Sequence, residues 1–217
     1  MTEPDFLRLT RQGYDRTAEA YADQFHQHLD NKPVDRAMLA AFAGLVASTK
    51  NLRVADIGCG TGATTAILKG FGVQPFGIDL SSNMIQQARS LNPTLAFTTG
   101  SMTDLDISGN SVGGICAWYS IIHIPDDHLP KVFAEFGRVL APGGLVLLAF
   151  QVGNKPRILT EAFGKPVDLT FLRRTPDSVE SLLADAGLHT YARLVREPDN
   201  DGLESTPHAY LIAQKPD

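Results

Sequence analysis

Residues 54–62 read VADIGCGTG, and this stretch decides the fold. An apolar run ends in Asp56, and three glycines then alternate with other residues before a helix-forming segment begins. Glycines at such a turn let a ligand approach the backbone, and the first N–H groups of the next helix point at that ligand. The Asp56 carboxylate would be an anion at the same edge, suited to an ammonium group. Taken alone, the loop could also be a turn that packs a helix on a sheet.

The spacing of these glycines excludes two common nucleotide motifs. The pattern is G-x-G-x-G, whereas the dinucleotide fingerprint is G-x-G-x-x-G. No Lys-Ser or Lys-Thr pair follows the glycines, so the phosphate-binding P-loop is not indicated either.

A second acid closes the next apolar run. Residues 77–81 read GIDLS, which places Asp79 17 residues after Gly62. A carboxylate at that strand end can accept hydrogen bonds from both hydroxyls of a ribose. An aspartate there is often only a helix cap. Two acids on adjacent strand ends, with a glycine loop between them, nevertheless predict a ligand that contains a nucleoside.

From residue 52 onward, strand-like and helical segments alternate. Short β-rich runs lie at 52–57, 73–78, 95–99, 114–119 and 145–150, and helical segments at 62–70, 81–91 and 127–140. Such alternation predicts right-handed crossovers and a mainly parallel sheet with helices on both faces. The sequence therefore predicts an α/β fold.

The two ends of the chain follow other patterns. The first fifty residues predict helices, and Tyr14 and Tyr21, two turns apart, would share one helix face. After a further helix from Thr175, two strands at 189–196 and 208–214 predict an antiparallel hairpin. His208, at the start of the last strand, could face a pocket.

Composition narrows the class of protein. The 217 residues favour one domain, and a net charge of −5 argues against a general nucleic-acid binder. The two cysteines lack C-x-x-C spacing, and no His, Cys or carboxylate cluster has ligand spacing, so no metal site is predicted. The N-terminus shows no signal pattern, and the longest apolar run, residues 37–47, is far short of the ~20 residues that cross a bilayer. We expect a cytoplasmic protein.

The central half of the chain resembles the class I S-adenosylmethionine-dependent methyltransferases of the small-molecule type. Four motifs in order carry the resemblance: DIGCGTG at 56–62, DLSSNM at 79–84, SIIHIPD at 120–126 and LAPGG at 140–144. The resemblance implies a Rossmann-like, doubly wound sheet of seven strands, with the last strand antiparallel and an N-terminal helical lid. It implies a single domain over 1–217, divided into the lid (1–50), a cofactor-binding core (51–150), a substrate-pocket insertion (151–175) and a helix with a terminal hairpin (176–217).

The resemblance also implies a set of residues that bind S-adenosylmethionine. They are Tyr14, Tyr21, Asp56, Gly58, Gly60, Asp79, Leu80, Met84, Ser101, Met102 and Trp118. Asp56 and the glycines would hold the methionine moiety, and Asp79 the ribose. Many family members have an aspartate where this chain has Ser101. The Ser101 hydroxyl, the Met102 N–H group or nearby Asp104 would then contact the adenine. The two tyrosines would close over the methionine end, or one of them would be ordinary core packing.

His123 is the predicted catalytic residue. It follows the fourth strand, at the carboxyl edge where open α/β sheets bind ligands. Its ordinary pKa near 6.5 suits a general base at neutral pH. The alternative is a structural histidine that hydrogen-bonds to the backbone and closes the floor of the pocket.

The insertion at 151–175 offers candidates for the acceptor pocket. Its apolar residues Phe163, Val167, Leu169 and Phe171 could line that pocket. One of Arg173 and Arg174 could clamp an acidic substrate, although a solvated charge is the favoured interpretation.

The predicted function is methyl transfer from S-adenosylmethionine to a small-molecule acceptor, at oxygen or nitrogen, by a monomer or homodimer that binds neither nucleic acid nor membrane. One alternative is a protein that binds the cofactor without catalysis, because no indispensable catalytic residue is visible. Another is a nicotinamide-dependent oxidoreductase, against which the G-x-G-x-G spacing speaks. Turnover of the cofactor to S-adenosylhomocysteine, or a change in reduced-nicotinamide fluorescence, would distinguish the three.

Overall fold

The computed structural model describes residues 3–217, in which helices and strands alternate along the chain. In order they are α1 (Asp5–Phe25), α2 (Pro33–Ala47), β1 (Arg53–Ile57), α3 (Ala63–Gly70), β2 (Gln74–Asp79), α4 (Ser82–Leu91), β3 (Phe97–Thr99), β4 (Val112–Trp118), α5 (Leu129–Val139), β5 (Leu140–Gln151), β6 (Arg157–Ala162), β7 (Lys165–Phe171), α6 (Pro176–Asp185), β8 (His189–Arg196) and β9 (His208–Gln214). Two 3₁₀ turns lie at His28–Asn31 and Ile121–His123. Among the helices of residues 3–217, none combines the length and hydropathy that crossing a lipid bilayer requires.

Seven of the strands form one sheet in the order β3-β2-β1-β4-β5-β9-β8. The pairs β1–β2, β2–β3, β1–β4 and β4–β5 are parallel, whereas β9 is antiparallel to both β5 and β8. This confirms the predicted fold class, including the antiparallel last strand and the terminal hairpin. The strand order reverses between β1 and β4, and ligands of open α/β sheets bind outside the carboxyl ends of strands at such a point.

Both faces of the sheet are covered, which explains the uninterrupted apolar sequence of β5. Residues 145–150 of this strand are all buried. On one face they pack with α5 and α6, through Phe133 and Leu183 among others. On the other face they pack with α2, through Leu39 and Phe42 among others. A strand buried on both faces needs apolar residues at every position.

The two N-terminal helices have different positions. The larger buried residues of α2 belong to the core on one face of the sheet. Helix α1 instead packs on β7 and α4. The contact with β7 is close, because a Cβ atom at Gly13 would come within 2.6 Å of Leu169 Cδ2. The division of the chain into a lid over 1–50 and the later segments stays a prediction.

Residues 157–171 form a second, two-stranded sheet that the sequence did not predict. Strands β6 and β7 pair antiparallel around a turn at Phe163 and Gly164, both with positive φ. Glycines and prolines interrupt the short apolar pieces of this stretch, so its sequence shows no regular alternation. The pairing of the two strands also shifts register between Leu159 and Glu161. The hairpin, together with α1, covers the carboxyl edge of the main sheet.

Arg174 corrects one expectation from the sequence. Its side chain is 5% exposed, so the interpretation as a solvated charge is wrong for this residue. It donates to Asp126 Oδ1 at 2.7 Å, to the Ile121 carbonyl at 3.2 Å and to the Ile124 carbonyl. The chain returns from β7 directly over the 3₁₀ turn at the end of β4, and the guanidinium donates to two buried carbonyl groups there.

Candidate active site

A cavity of about 680 Å³ lies at the carboxyl edge of the sheet, between the strand ends and the cover formed by α1, β6 and β7. Its volume is within the range of ~300–1,000 Å³ that holds small molecules. His123 lines it, and so does every predicted cofactor-binding residue except Asp56. The structure thus brings together residues from three strand ends, the glycine loop and the N-terminal helix.

The glycine loop after β1 forms one wall of this cavity. Gly58 and Gly60 have φ values of +75° and +52°, a region that side chains rarely adopt. A Cβ atom at Gly58 would lie 2.3 Å from Ser120 Cβ, so this glycine is needed for close packing on the loop after β4. A Cβ at Gly60 would meet no heavy atom within 4 Å. Gly60 therefore leaves open space beside the backbone, as a ligand requires.

Asp79, at the end of β2, ties this loop to the start of α4. Its Oδ2 accepts the Gly60 N–H at 2.8 Å and its Oδ1 accepts the Ser81 N–H at 2.9 Å. Burial raises the pKa of the carboxyl above its ordinary value, although these two N–H groups act in the opposite direction. A carboxylate has about four lone-pair sites. Each oxygen of Asp79 can therefore accept one more hydrogen bond.

Asp56 occupies a different environment, beneath the loop and outside the cavity lining. Its Oδ2 accepts the Thr65 hydroxyl at 2.6 Å, and its buried Oδ1 has no hydrogen-bond partner within residues 3–217. Burial raises the pKa of this carboxyl to about 7, and the nearby Asp79 charge adds to the shift. A contact between Asp56 and a ligand's ammonium group stays a prediction.

The residues predicted for the adenine lie together at one end of the cavity. Leu80 and Met84 line it beside the turn that contains Ser101 and Met102. The Ser101 hydroxyl lies 2.8 Å from that of Thr103. Asp104 is exposed and outside the lining, so Ser101 and Met102 are the two remaining candidates at this edge.

His123 is buried, and both of its ring nitrogens have partners. Nδ1 lies 2.9 Å from the Thr170 carbonyl, and Nε2 lies 2.8 Å from the Tyr14 hydroxyl. A carbonyl can only accept, so Nδ1 carries the proton, and Nε2 accepts from the Tyr14 hydroxyl. Burial lowers the pKa of His123 to about 4, although the Thr170 bond raises it. The imidazole is therefore neutral at physiological pH, and its base role stays a prediction.

Aromatic side chains form the wall opposite the strand ends. Tyr14 and Tyr21 both line the cavity, and their rings meet edge to face at 6.0 Å. Phe163, at the tip of the hairpin, lies 6.4 Å from the Tyr21 ring and 6.2 Å from the Phe25 ring. Burial raises the pKa of Tyr21 to about 12, with a further contribution from the Asp79 charge. Both tyrosines face the site as neutral phenols.

The hairpin contributes most of the residues proposed for it. Phe163, Leu169 and Phe171 line the cavity, whereas Val167 is buried outside the lining. The ring of Phe171 lies 4.8 Å from that of His123.

Sequence reasoning did not single out Gln151, at the end of β5, and it gave little weight to Tyr119, after β4, and to His208, at the start of β9. Tyr119, Gln151 and His208 all line the cavity. The Tyr119 hydroxyl lies 2.5 Å from His208 Nδ1 and 3.1 Å from the Tyr210 hydroxyl. The predicted topology could have indicated His208 and Gln151. The first residue of an antiparallel last strand lies at the same edge of the sheet as the last residues of the parallel strands.

One group of potential metal ligands occurs in residues 3–217. The ligand atoms of His28, Asp201 and Glu204 lie within 4.8 Å of one another. The Lys32 amino group lies among them, 2.7 Å from Asp201 Oδ2 and 2.9 Å from Glu204 Oε1, and 2.5 Å from Asp199 Oδ2. The Lys32 ammonium group thus already lies within hydrogen-bonding distance of all three carboxylates.

The chain is similar to known methyltransferases. Residues 54–144 match the family model described as a methyltransferase domain. The chain is 26% identical over 192 residues to a malonyl-[acyl-carrier protein] O-methyltransferase of Pectobacterium atrosepticum, a match that covers 88% of this chain and 71% of that protein. It is 28% identical over 118 residues to a demethylmenaquinone methyltransferase of Beutenbergia cavernae, covering 54% and 48%.

A solved structure extends the likeness of the fold to the whole chain. The structure described as the DhpI-SAH complex superposes with a TM-score of 0.73 at 21% identity, covering 99% of each chain.

Proposed function

We propose that this chain, in which residues 54–144 match a methyltransferase domain, transfers a methyl group from S-adenosylmethionine to a small-molecule acceptor at an oxygen or nitrogen atom. The observation that carries the proposal is the continuity of the cavity. One space joins Gly60 and Asp79, the predicted cofactor residues, to the Tyr14–His123 pair and the aromatic wall. A cofactor and a small acceptor would therefore meet inside one chamber. The net charge of −5 supports an acceptor other than nucleic acid, and we propose a cytoplasmic monomer or homodimer.

Three features of the chain fit the cofactor. Gly60 leaves open space beside the backbone, and Asp79 keeps lone pairs for two ribose hydroxyls. Asp56, beneath the loop and outside the lining, keeps one buried oxygen without a hydrogen-bond partner in residues 3–217. Leu80 and Met84 supply apolar surface for a flat base. When bound, S-adenosylmethionine supplies an electrophilic methyl group on a sulfonium. The acceptors named for the relatives, malonyl-[acyl-carrier protein] and demethylmenaquinone, belong to those proteins.

The residues of this chain act first by positioning. Methyl transfer is an in-line displacement, and holding two reactants in that geometry can supply most of the acceleration. Helix α1 and the β6–β7 hairpin bring Tyr21, Phe25 and Phe163 over the strand ends. This wall would exclude water and orient the acceptor toward the methyl group.

Tyr14 and His123 handle the acceptor's proton in this proposal. The Tyr14 oxygen can accept a hydrogen bond from an acceptor O–H or N–H group while its own proton points at His123 Nε2. Because the pKa of His123 is about 4, it is a weak base. The pair would therefore orient the acceptor's lone pair in every case, and take its proton only from an acidic acceptor.

The test is turnover. The purified protein would be incubated with S-adenosylmethionine and a panel of small metabolites, and S-adenosylhomocysteine would be quantified. We expect acceptor-dependent formation of S-adenosylhomocysteine, with the methyl group on oxygen or nitrogen of the product. Binding of the cofactor without turnover across the panel would instead support the non-catalytic alternative.

A further inference from the structure

The last residue of β5, Gln151, holds a buried polar atom that the protein does not use. Its Oε1 is buried and has no hydrogen-bond partner within residues 3–217, yet the residue lines the cavity. Buried polar groups are nearly always hydrogen-bonded, so an exception in a cavity needs an explanation. A bound molecule that donates to this oxygen would supply one.

The strand geometry directs this amide toward the space above the sheet. Successive side chains of a strand alternate between faces, so Leu147, Ala149 and Gln151 share one face of β5. Leu147 and Ala149 lie in the core that packs on α2. At the carboxyl end the same face reaches the cavity, and Gln151 pairs there with His208 in the β5–β9 register.

The buried charged groups near this end of the cavity are already compensated. Glu204 Oε2 lies 2.5 Å from Arg196 and its Oε1 2.9 Å from Lys32. Asp35 Oδ2 lies 3.1 Å from the same Arg196. The other charged lining residues of β6, Arg157 and Glu161, are exposed. At this end of the cavity, a charged ligand would therefore find no buried charge that lacks a partner. A neutral ligand could bond to the amide of Gln151.

From this arrangement we propose that Gln151 determines acceptor specificity, and that the acceptor is a neutral, planar molecule with adjacent hydrogen-bond donor and acceptor groups, such as a cyclic amide. The amide of glutamine carries both an acceptor oxygen and N–H donors, so it can pair with such an edge through two bonds. The aromatic wall would pack on the faces of the ring. This inference rests on the proposed function, because it names the substrate of the same chamber.

Four probes test the inference on protein saturated with S-adenosylhomocysteine. They are 2-quinolone (a cyclic amide), quinoline, 2-naphthoate (an anion) and 2-naphthylmethylamine (a cation), with affinities measured by ligand-observed NMR titration. We expect 2-quinolone to bind most tightly. The substitution Gln151→Met, which keeps the length of the side chain, should weaken 2-quinolone about tenfold and quinoline much less.

A matched substitution serves as the control. Gln214→Met makes the same chemical change at the opposite end of β9, where the side chain donates to the Gly143 carbonyl. It should leave the affinity for 2-quinolone unchanged. Gln151→Glu replaces the N–H donors by a second acceptor oxygen, so it should weaken the binding of 2-quinolone as much as Gln151→Met does. Agreement between the two variants would show that the loss does not come from misfolding of one of them.

Three results would overturn the inference: no binding of 2-quinolone, tighter binding of either charged probe, or equal 2-quinolone affinity in wild type and both Gln151 variants. The proposed function fails differently. Calorimetry that detects no binding of S-adenosylhomocysteine would contradict the function itself, whereas cofactor binding without discrimination among probes contradicts only the role of Gln151.

Discussion

The phenol oxygen of Tyr14 lies 2.8 Å from Nε2 of His123, a hydrogen bond between residues 109 positions apart. It joins α1 to the end of β4, directly over the carboxyl edge of the sheet. The second ring nitrogen of His123 is held by the Thr170 carbonyl on β7. One imidazole therefore connects the helix, the sheet and the hairpin that together enclose the cavity.

Removing the Tyr14 hydroxyl should slow methyl transfer without affecting the cofactor. For Tyr14→Phe we expect kcat to fall by about two decades, because the acceptor loses the group that orients its lone pair and that, for an acidic acceptor, receives its proton. The affinity for S-adenosylhomocysteine should stay within about twofold. Steady-state kinetics with the acceptor found in the turnover panel would measure the first, and calorimetry the second. Tyr191→Phe, at a residue 61% exposed, is the control. An unchanged kcat would remove Tyr14 from the mechanism.

The lowered pKa of His123 predicts how stability depends on pH. In the folded protein the imidazole titrates near 4, against 6.5 for the unfolded chain. Between these values the unfolded state binds more protons, so the free energy of unfolding falls as pH decreases from 6.5 to 4. The full shift corresponds to roughly 3 kcal/mol.

The substitution His123→Asn isolates this contribution, because asparagine can still donate to the Thr170 carbonyl and does not titrate. Urea unfolding at pH 7.5, 6 and 4.5 should show a smaller loss of stability in the variant than in the wild type. The other histidines are common to both proteins and cancel in the difference. Parallel losses in the two proteins would contradict the neutral, buried state of His123.

The sequence predicted the parts of this site that depend on local pattern. The G-x-G-x-G loop places Gly58 and Gly60 at the end of β1, and Asp79 ends the next strand, because strand, turn and helix are all encoded within about 30 residues. The Ser81 cap of α4 and the Thr175 cap of α6 follow from the same local chemistry, since each side chain accepts the N–H group three residues later.

Contacts between distant segments could not be predicted in the same way. The pairing of Gln151 with His208 requires the register of β5 with β9, and the bonds of His123 require the positions of α1 and β7. The burial of Arg174 likewise depends on where the chain returns after the hairpin. None of these follows from periodicity, because each joins segments that are far apart in the chain.

The raised pKa of Asp56 predicts that a neutral isostere stabilises the free protein. The carboxyl titrates near 7 when folded and near 3.8 when unfolded. Between pH 3.8 and about 7 the unfolded state therefore binds fewer protons, so the free energy of unfolding falls as pH rises through this range and levels off above it. We expect Asp56→Asn to be more stable than wild type at pH 8, by roughly 1–3 kcal/mol.

Thermal melts with and without S-adenosylhomocysteine would test this prediction. The advantage of the variant should be smaller at pH 5 than at pH 8, because at pH 5 the folded wild type still holds the proton of Asp56 and only part of the penalty has developed. The ligand should stabilise the variant less than the wild type if Asp56 compensates the ammonium group. A variant that is less stable at pH 8 would show that the carboxylate contributes favourably to the free fold.

Chelation should leave the activity intact. The Lys32 ammonium group already bonds to the carboxylates of Asp201 and Glu204, so we expect turnover in excess EDTA to equal turnover without it. The measurement is the initial rate with EDTA and after addition of Mg²⁺. A rate that falls with EDTA and recovers with Mg²⁺ would identify a metal site in the cavity.

The central claim is that Asp79, held by the N–H groups of Gly60 and Ser81, binds the ribose of S-adenosylmethionine. Two charge-assisted hydrogen bonds would be lost in Asp79→Ala, which should weaken binding by about 2–4 kcal/mol. Asp106→Ala, at an exposed aspartate, is the matched control.

Isothermal titration calorimetry of S-adenosylmethionine with wild type, Asp79→Ala and Asp106→Ala tests this claim most directly, with circular dichroism confirming that each protein is folded. The account predicts a dissociation constant roughly 30- to 1,000-fold higher for Asp79→Ala alone. Equal affinity in all three proteins would contradict it.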